Sequence, residues 1–321
     1  MRTIWFVALL LAAQAAWAQF TGIDGTVVRF ASVEQGRAVL QAEDEWLAAT
    51  SDFQRAAVMG VAPPVSPERF RSFQGETALP WSPQQQARWE RALAAVAPRL
   101  NALQVRLPPE VLLVQTDGRD AANAPYTRGS AVMLPRELQP DDYSDAEIMA
   151  HELFHVMSRH RPELATRLYA LIGFEPVPPL QWPAEWLPLR IANPDAPHHR
   201  HAMRATFDDR PVLLMPLLVA GRTELDRSRG ETFFHVMQIR LLEVKVDNGA
   251  TLPVLREGQP VWHAPQQAPE YLQRLGGNTG YILHAEETLA DNFAFLVSGR
   301  PVRNPSLPAR MQALLKEGAA R

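Results

Sequence analysis

Apolar residues recur at helical spacing through much of the first hundred positions. Trp89, Leu93, Val96 and Leu100 mark one face of a helix, and Ala38, Val39, Leu40, Trp46 and Leu47 mark shorter helical stretches. Ser32-Val33-Glu34-Gln35 and Ser82-Pro83-Gln84-Gln85 match the S-x-x-Q capping box, with Pro83 at the favoured first helical position. Ser66-Pro67-Glu68 opens another helix by the same logic. The period then changes. After Pro108-Pro109, Val111-Leu112-Leu113-Val114 reads as a short buried strand, and Ala131-Val132-Met133-Leu134 follows the turn formers Arg128-Gly129-Ser130 as a second. Ser144 begins a strong helix ending near Arg161-Pro162, and another runs through Leu171. Seven prolines in 176–197 predict irregular chain. Two hairpins are expected next: 203–207 with 212–219 across Asp208-Asp209, and 233–246 with 252–261 across Asp247-Asn248-Gly249. Helical spacing resumes over 284–296. No internal repeat is visible. The expected class is α+β, helices around a small, largely antiparallel sheet.

Composition narrows the functions. The chain has 321 residues, 32 Lys+Arg against 35 Asp+Glu, a net charge of −3 and a sequence pI near 6.3. That balance lacks the basic footprint of a nucleic-acid binder, so no nucleic-acid partner is expected. The absence of cysteine excludes disulfides, thiolate metal sites and thiol nucleophiles. At the N-terminus, Arg2, an apolar run over 4–13 and the small-x-small triplet Ala16-Trp17-Ala18 fit a signal peptide spanning 1–18. The run is shorter than the ~20 residues of a comfortable membrane span, which disfavours an anchor helix. The expected product is exported, periplasmic or extracellular, with no membrane insertion after cleavage.

The chemistry concentrates in 144–157. Ser144 and Glu147 form a capping box, and His151-Glu152-Leu153-Phe154-His155 follows. Histidines four apart lie one turn apart on one helix face, close enough to share a Zn²⁺ with bonds of ~2.0–2.1 Å. Glu152, rotated about 100° around the helix, falls beside such an ion rather than on it, where it can serve as general base. The alternative is a pair of core histidines satisfied by hydrogen bonds, but two of them on an otherwise uncharged helix need partners. A zinc with an open position needs a third protein ligand. The stretch 281–295 offers Glu287, with Glu286 and His284 as competitors. Glu286 points about 100° from Glu287, so only one of the two can face the metal.

In H-E-x-x-H followed by Glu287-Thr288-Leu289-Ala290-Asp291, the chain resembles the gluzincin zinc metallopeptidases. In thermolysin-like members a glutamate ligand sits in an E-x-x-x-D pattern whose Asp braces a zinc histidine, and a group of membrane peptidases uses E-x-x-A-D. Glu287 to Asp291 fits both. The resemblance implies a zincin-like fold, one zinc per chain held by His151, His155 and Glu287, Asp291 bracing one of the histidines, and a peptide or protein substrate. It covers two short helices, and 131 residues separate His155 from Glu287, far more than in thermolysin-like enzymes. The expected organisation is a signal peptide (1–18), an N-terminal helical region (19–104) and a zincin-like catalytic domain (105–321) with an insertion at about 176–265.

A weaker resemblance places 124–134 as the strand that some zincins set before this helix, with Tyr126, Thr127 and Arg128 along a substrate-binding edge; an ordinary core strand is the other reading. Tyr281, six residues before Glu287, is the preferred oxyanion stabiliser, against a role anchoring the helix start. His198, His199 and His201 read as a solvated loop, with one of them, or His235 or His263, as a further candidate for the oxyanion. Gly276 to Gly280 reads as a flexible turn, and Arg300, Arg303 and Arg310 as a solvated face. The function expected is zinc-dependent amide hydrolysis with Glu152 as base. The alternative is an exported binding protein whose zinc site is structural or degenerate, closed by a fourth ligand such as His284 or one of 198–201.

Overall fold

β1 (Gln19–Ile23) and β2 (Thr26–Phe30) form a hairpin where helical chain was expected, in a computed structural model that describes residues 19–139, 142–207 and 209–318. The expected signal peptide lies outside the described residues. In β2 the alternation buries Val28 and Phe30 and turns Arg29 outward to Glu110 at 2.6 Å. Five helices follow: α1 (Val33–Gln41), α2 (Glu45–Ala49), α3 (Asp52–Met59), α4 (Pro67–Glu76) and α5 (Pro83–Ala102). The Ser32 capping box forms as expected. At Ser82 only the cap itself forms, because the Gln85 side chain donates instead to the Arg136 carbonyl at 2.9 Å.

The hairpin joins the sheet of β3 (Glu110–Thr116), β4 (Tyr126–Arg128) and β5 (Ala131–Pro135), in the order β1-β2-β3-β5-β4. β2, β3 and β5 run parallel, and only the edge strands β1 and β4 are antiparallel. The expectation of a largely antiparallel sheet is therefore wrong for this layer, and 19–104 contributes strands to it as well as helices. Parallel pairing needs a long crossover, which α1 to α5 supply between β2 and β3. Both faces are covered. Val111, Leu113, Val132 and Leu134 pack with Trp89, Leu93, Val96 and Leu100 of α5, while Val114, Ala131 and Met133 pack with Leu40 of α1.

α6 (Asp145–His160) starts at the expected Ser144–Glu147 capping box and lies in the first of these cores. After α7 (Pro162–Ala170) comes a second, wholly antiparallel sheet. Five of its six strands, β6 (Phe174–Pro176), β7 (His201–Phe207), β8 (Arg210–Ala220), β9 (Met237–Asp247) and β10 (Ala250–Pro253), follow the order β10-β9-β8-β7-β6, and the short strand Trp262–His263 also pairs with β9. Asn248 and Gly249 turn the β9–β10 hairpin with φ of 47° and 77°, the left-handed pair that a two-residue hairpin turn requires. The expected strand at 233–236 is instead a short 3₁₀ turn, Phe233–His235. α8 (Pro269–Arg274), α9 (Ala285–Ser298) and α10 (Ser306–Gly318) complete the chain. α9 packs on α6 through Leu289 and Phe293, with the Phe293 and Phe154 rings 5.5 Å apart. That contact brings the two sequence motifs together.

The Pro-rich segment is irregular, as expected, yet it is pinned. Gln54 bonds both backbone groups of Ala192 at 2.8 Å, and Trp46 Nε1 donates to the same carbonyl at 3.0 Å. Arg128 pins the N-terminal helices to β4: its buried guanidinium donates to Asp44, to the Leu40 carbonyl and to the Ala42 carbonyl at 2.6–2.9 Å. Replacing it leaves those acceptors without their donor. Arg128→Met should lower unfolding free energy by about 2–4 kcal/mol in urea titrations. A change below about 0.5 kcal/mol, the range of ordinary surface substitutions, would show that this tie is dispensable.

Candidate metal centre

The capped start of α6 fixes the phase of His151 and His155, whose ring centroids lie 4.8 Å apart. Each ring presents Nδ1 to a carboxylate of α9. His151 Nδ1 is 2.9 Å from Asp291 Oδ1, and His155 Nδ1 is 2.8 Å from Glu286 Oε1. A carboxylate at Nδ1 holds the proton there and leaves Nε2 with its lone pair. Both Nε2 atoms turn to Glu287, lying 3.2 Å and 3.5 Å from its Oε2. Ligand atoms bound at ~2.0–2.2 Å around a tetrahedral ion sit about 3.3–3.5 Å apart, which both distances to Glu287 match, and the ligand atoms of the three residues all lie within 4.8 Å of one another. His155 Nε2 is fully buried and has no hydrogen-bond partner among the described residues. An orphaned imidazole nitrogen facing a carboxylate in the core is what a resident cation would satisfy.

The adjacent glutamates divide the work. Glu287 faces the ion position, and its Oε1 accepts from the Asn193 amide. Glu286 is buried too and accepts from Ser158 Oγ and the Tyr169 hydroxyl as well as facing His155. Asp291 is braced by the Tyr143 hydroxyl at 2.8 Å and by the Thr279 hydroxyl. His284 caps α9, its Nδ1 accepting from the Glu286 amide at 3.0 Å, and so is committed elsewhere.

Glu152 is buried beside the trio, grouped with His155 and Asp195 rather than with Glu287. Its Oε2 accepts from Thr127 Oγ1 at 2.6 Å. Of the three residues expected along a substrate edge, Thr127 alone touches the site. Tyr126 is buried with its hydroxyl on Asp120 Oδ2 at 2.8 Å, and Arg128 serves the N-terminal helices. The Thr127 N–H points off the sheet edge and donates to Asp195 Oδ1 at 2.7 Å. Tyr281 is 41% exposed, with its ring 6.1 Å from that of His151. It walls a cleft of about 440 Å³ with Pro125, Leu138, Tyr143 and Ile148, and His151 and Glu152 open into that cleft. His235 bonds Thr232, and His263 pairs with Glu243 at 2.8 Å in the second sheet. His198 meets Glu45, and His201 belongs to β7. None of these four joins a ligand group among the described residues.

Asp195 is the participant that sequence spacing misses. It sits in the Pro-rich segment, outside any periodic element, and its Oδ1 lies 3.9 Å from His155 Nε2. Burial, reinforced by the charges of Glu152 and Glu287, raises its carboxyl to about 7, against the pull of His155 and Arg159. Asn193, Tyr143, Tyr169, Ser158 and Thr279 likewise carry no motif. The Glu286-Glu287 doublet splits as helix geometry requires, with Glu287 toward the ion position and Glu286 toward His155 Nδ1.

Five carboxylates (Glu152, Asp195, Glu286, Glu287 and Asp291) surround two imidazoles, and the Arg159 guanidinium lies 3.8 Å from Asp195. The donor set of two imidazoles and a carboxylate in an acidic pocket fits a divalent cation. Without one, protons take its place. Burial opposes charge on His151, but Asp291 and Glu287 outweigh it and raise the ring to about 10. His155 is likewise raised well above its ordinary value: burial opposes, and Asp195, Glu287 and Glu286 prevail. Burial would push the Glu287 carboxyl up, yet the two histidines hold it far below the usual range.

Metal uptake at pH 7 should therefore release about two protons, measurable by calorimetry in buffers of different ionisation enthalpy. A raised folded-state value stabilises the metal-free fold fully below pH 6.5 and loses that contribution as pH rises through about 10. The chelated protein should thus lose stability across that window, and the metal-loaded protein should lose less. Proton-neutral uptake would contradict this charge balance.

A family described as the eCIS core domain, of unknown function, matches residues 104–163, 60 of the 321. The match takes in β3, β4, β5 and α6, with His151, Glu152 and His155, and stops short of Glu287. No curated protein and no solved structure matches the chain.

Proposed function

We propose that the chain is a zinc-dependent hydrolase that cleaves amide bonds in peptides or proteins, acting outside the cytoplasm after removal of residues 1–18. The observation that carries this reading is the convergence of His151 Nε2, His155 Nε2 and Glu287 Oε2, with Glu152 held beside them by Thr127. Two imidazoles and one carboxylate suit zinc, which when bound would polarise a substrate carbonyl and make water acidic enough to attack at neutral pH. Glu152 accepts the proton of the attacking water and passes it to the leaving amine. Thr127 fixes the carboxylate of Glu152 for that transfer. Asp291 and Glu286 keep both Nε2 atoms turned to the ion position. Tyr281 and Tyr143 form the cleft wall along which the substrate lies. Among the described residues, no helix is long and apolar enough to cross a membrane.

One observation favours a second reading, a binding protein with a closed, structural zinc: Asp195 Oδ1 lies 3.9 Å from His155 Nε2, beside one ligand of the trio. Turnover separates the two. Glu152→Gln should keep one zinc per chain while cleavage of unfolded casein falls by at least about a hundredfold. Full activity in that variant would remove Glu152 from the mechanism, and absence of cleavage in the zinc-loaded wild type would favour the structural site. His151→Ala and His155→Ala should lose the metal. Glu286→Gln, which alters only the partner of His155 Nδ1, should weaken zinc binding by about 10–100-fold in chelator competition. Unchanged affinity there would show that Glu286 does not orient the ligand.

A further inference from the structure

The 193–195 segment runs between the sheet edge and the ion position and is tied there by several hydrogen bonds. Asn193 donates to the outer oxygen of Glu287. The Asp195 amide donates back to Asn193 Oδ1 at 3.0 Å, which stiffens the turn. Arg159, from the last turn of α6, donates to the carbonyls of Pro194 and Asp195, both at 2.9 Å. Upstream, Ala192 is locked to Gln54 and Trp46. The result is a strap fixed at both ends that delivers one carboxylate to the metal centre.

Asp195 Oδ1 meets two groups that a peptide substrate would need. One is the Thr127 N–H, the outward-facing donor of the edge strand β4, at 2.7 Å. The other is the space before His155 Nε2, 3.9 Å away, on the side of Glu152 rather than of Glu287. His155 is shared by the His151–His155–Glu287 group and the Glu152–His155–Asp195 group, which sets Asp195 next to one ligand of the trio. Arg159, 3.8 Å from the same oxygen, does not reach hydrogen-bonding distance and leaves it available. A substrate strand adding to β4 would bond the Thr127 N–H and present its carbonyl where Asp195 now lies.

We propose that Asp195 is a fourth, displaceable metal ligand, and that the 193–195 strap holds the centre in a latent state by filling the water position and the substrate edge together. The proposal rests on the hydrolase reading and adds its regulation: cleavage requires the strap to lift, whether through a partner, through substrate or through a cut in the Pro-rich segment. Catalytic competence then scales with the fraction of molecules whose strap is open.

The test uses the full chain loaded with Co²⁺ for spectroscopy and with Zn²⁺ for cleavage of unfolded casein, comparing wild type with Asp195→Ala and Arg159→Ala. Removing the fourth ligand should change the position and intensity of the visible cobalt bands, which report coordination geometry. If the strap is closed in nine molecules of ten, casein cleavage should rise about tenfold in Asp195→Ala. Arg159→Ala keeps the carboxylate but frees its tether, so it should shift both readouts in the same direction by less, and it decides the matter if Asp195→Ala does not fold. Unchanged cobalt bands in metal-loaded variants would overturn the ligand role, and equal or lower cleavage with zinc bound would overturn latency. Either result leaves the hydrolase reading standing. If wild type and variants bind metal but none cleaves casein, the hydrolase reading and latency fail together, and the cobalt bands still decide whether Asp195 is a ligand. Failure of every form to bind metal would overturn both proposals.

Discussion

Buried negative charge at the contact between α6 and α9 sets the terms for everything around it. Glu286, Glu287 and Asp291 are almost wholly removed from solvent on a helix whose remaining buried positions are mostly apolar. An unpaired buried carboxylate is strongly unfavourable, and three on one helix are tolerable only against matching positive charge. His151 and His155 supply it in the metal-free chain by holding protons, and a divalent ion held by the two imidazoles and Glu287 would supply it more compactly. The two helices therefore depend on the centre as much as the centre depends on them. The hydroxyls of Tyr143, Tyr169, Ser158 and Thr279 occupy the remaining lone pairs, so the cluster is solvated by protein rather than by water.

What could be read from the chain alone follows the range of the forces involved. The start of α6 was legible because a capping box is local, and the shared face of His151 and His155 follows from helix geometry. Glu287 and Asp291 were legible for the same reason, one turn apart on α9, although their meeting with α6 rested on resemblance. The β9–β10 turn was legible because Asn248 and Gly249 adopt left-handed backbone readily. The sheet was not. β2, β3 and β5 pair in parallel across long separations, and no turn chemistry marks such a pairing. The short alternation in 26–30 was overshadowed by the stronger helical signal that follows it. Asp195 was illegible for a different reason. It belongs to an aperiodic segment whose position is set by Gln54, Trp46 and Arg159, and none of these is near it in sequence.

The long interval between the two ligand helices also acquires a physical role. Its second sheet is antiparallel and locally connected, and it forms its own apolar packing through Leu217, Leu242 and Val244. A self-supporting sheet gives the Pro-rich segment a fixed point of departure at β6 and of return at β7, so the irregular chain between them is held at both ends. The backbone polar groups of such a segment must find partners if they are buried. Ala192, Pro194 and Asp195 find theirs on α2, α3 and α6, and this is how an insertion from one layer comes to lie over the site of another.

Thr127 is where these constraints meet. Its hydroxyl positions the carboxylate of Glu152, and its amide holds the carboxylate of Asp195, so one residue on a three-residue edge strand touches both Glu152 and the 193–195 segment. Because side chains and amides leave a strand in different directions, Thr127 can do both without strain. The two contacts differ in their surroundings. The hydroxyl bond lies where β4 meets α6, whereas the amide bond reaches across to the 193–195 segment, which together with Ala192 is tied to α2, α3 and α6. Lifting the strap would free the edge amide while leaving Glu152 in place. Under the proposed function, such a site would be closed to substrate while Glu152 stays held by the Thr127 hydroxyl, because the two contacts of Thr127 go to different partners.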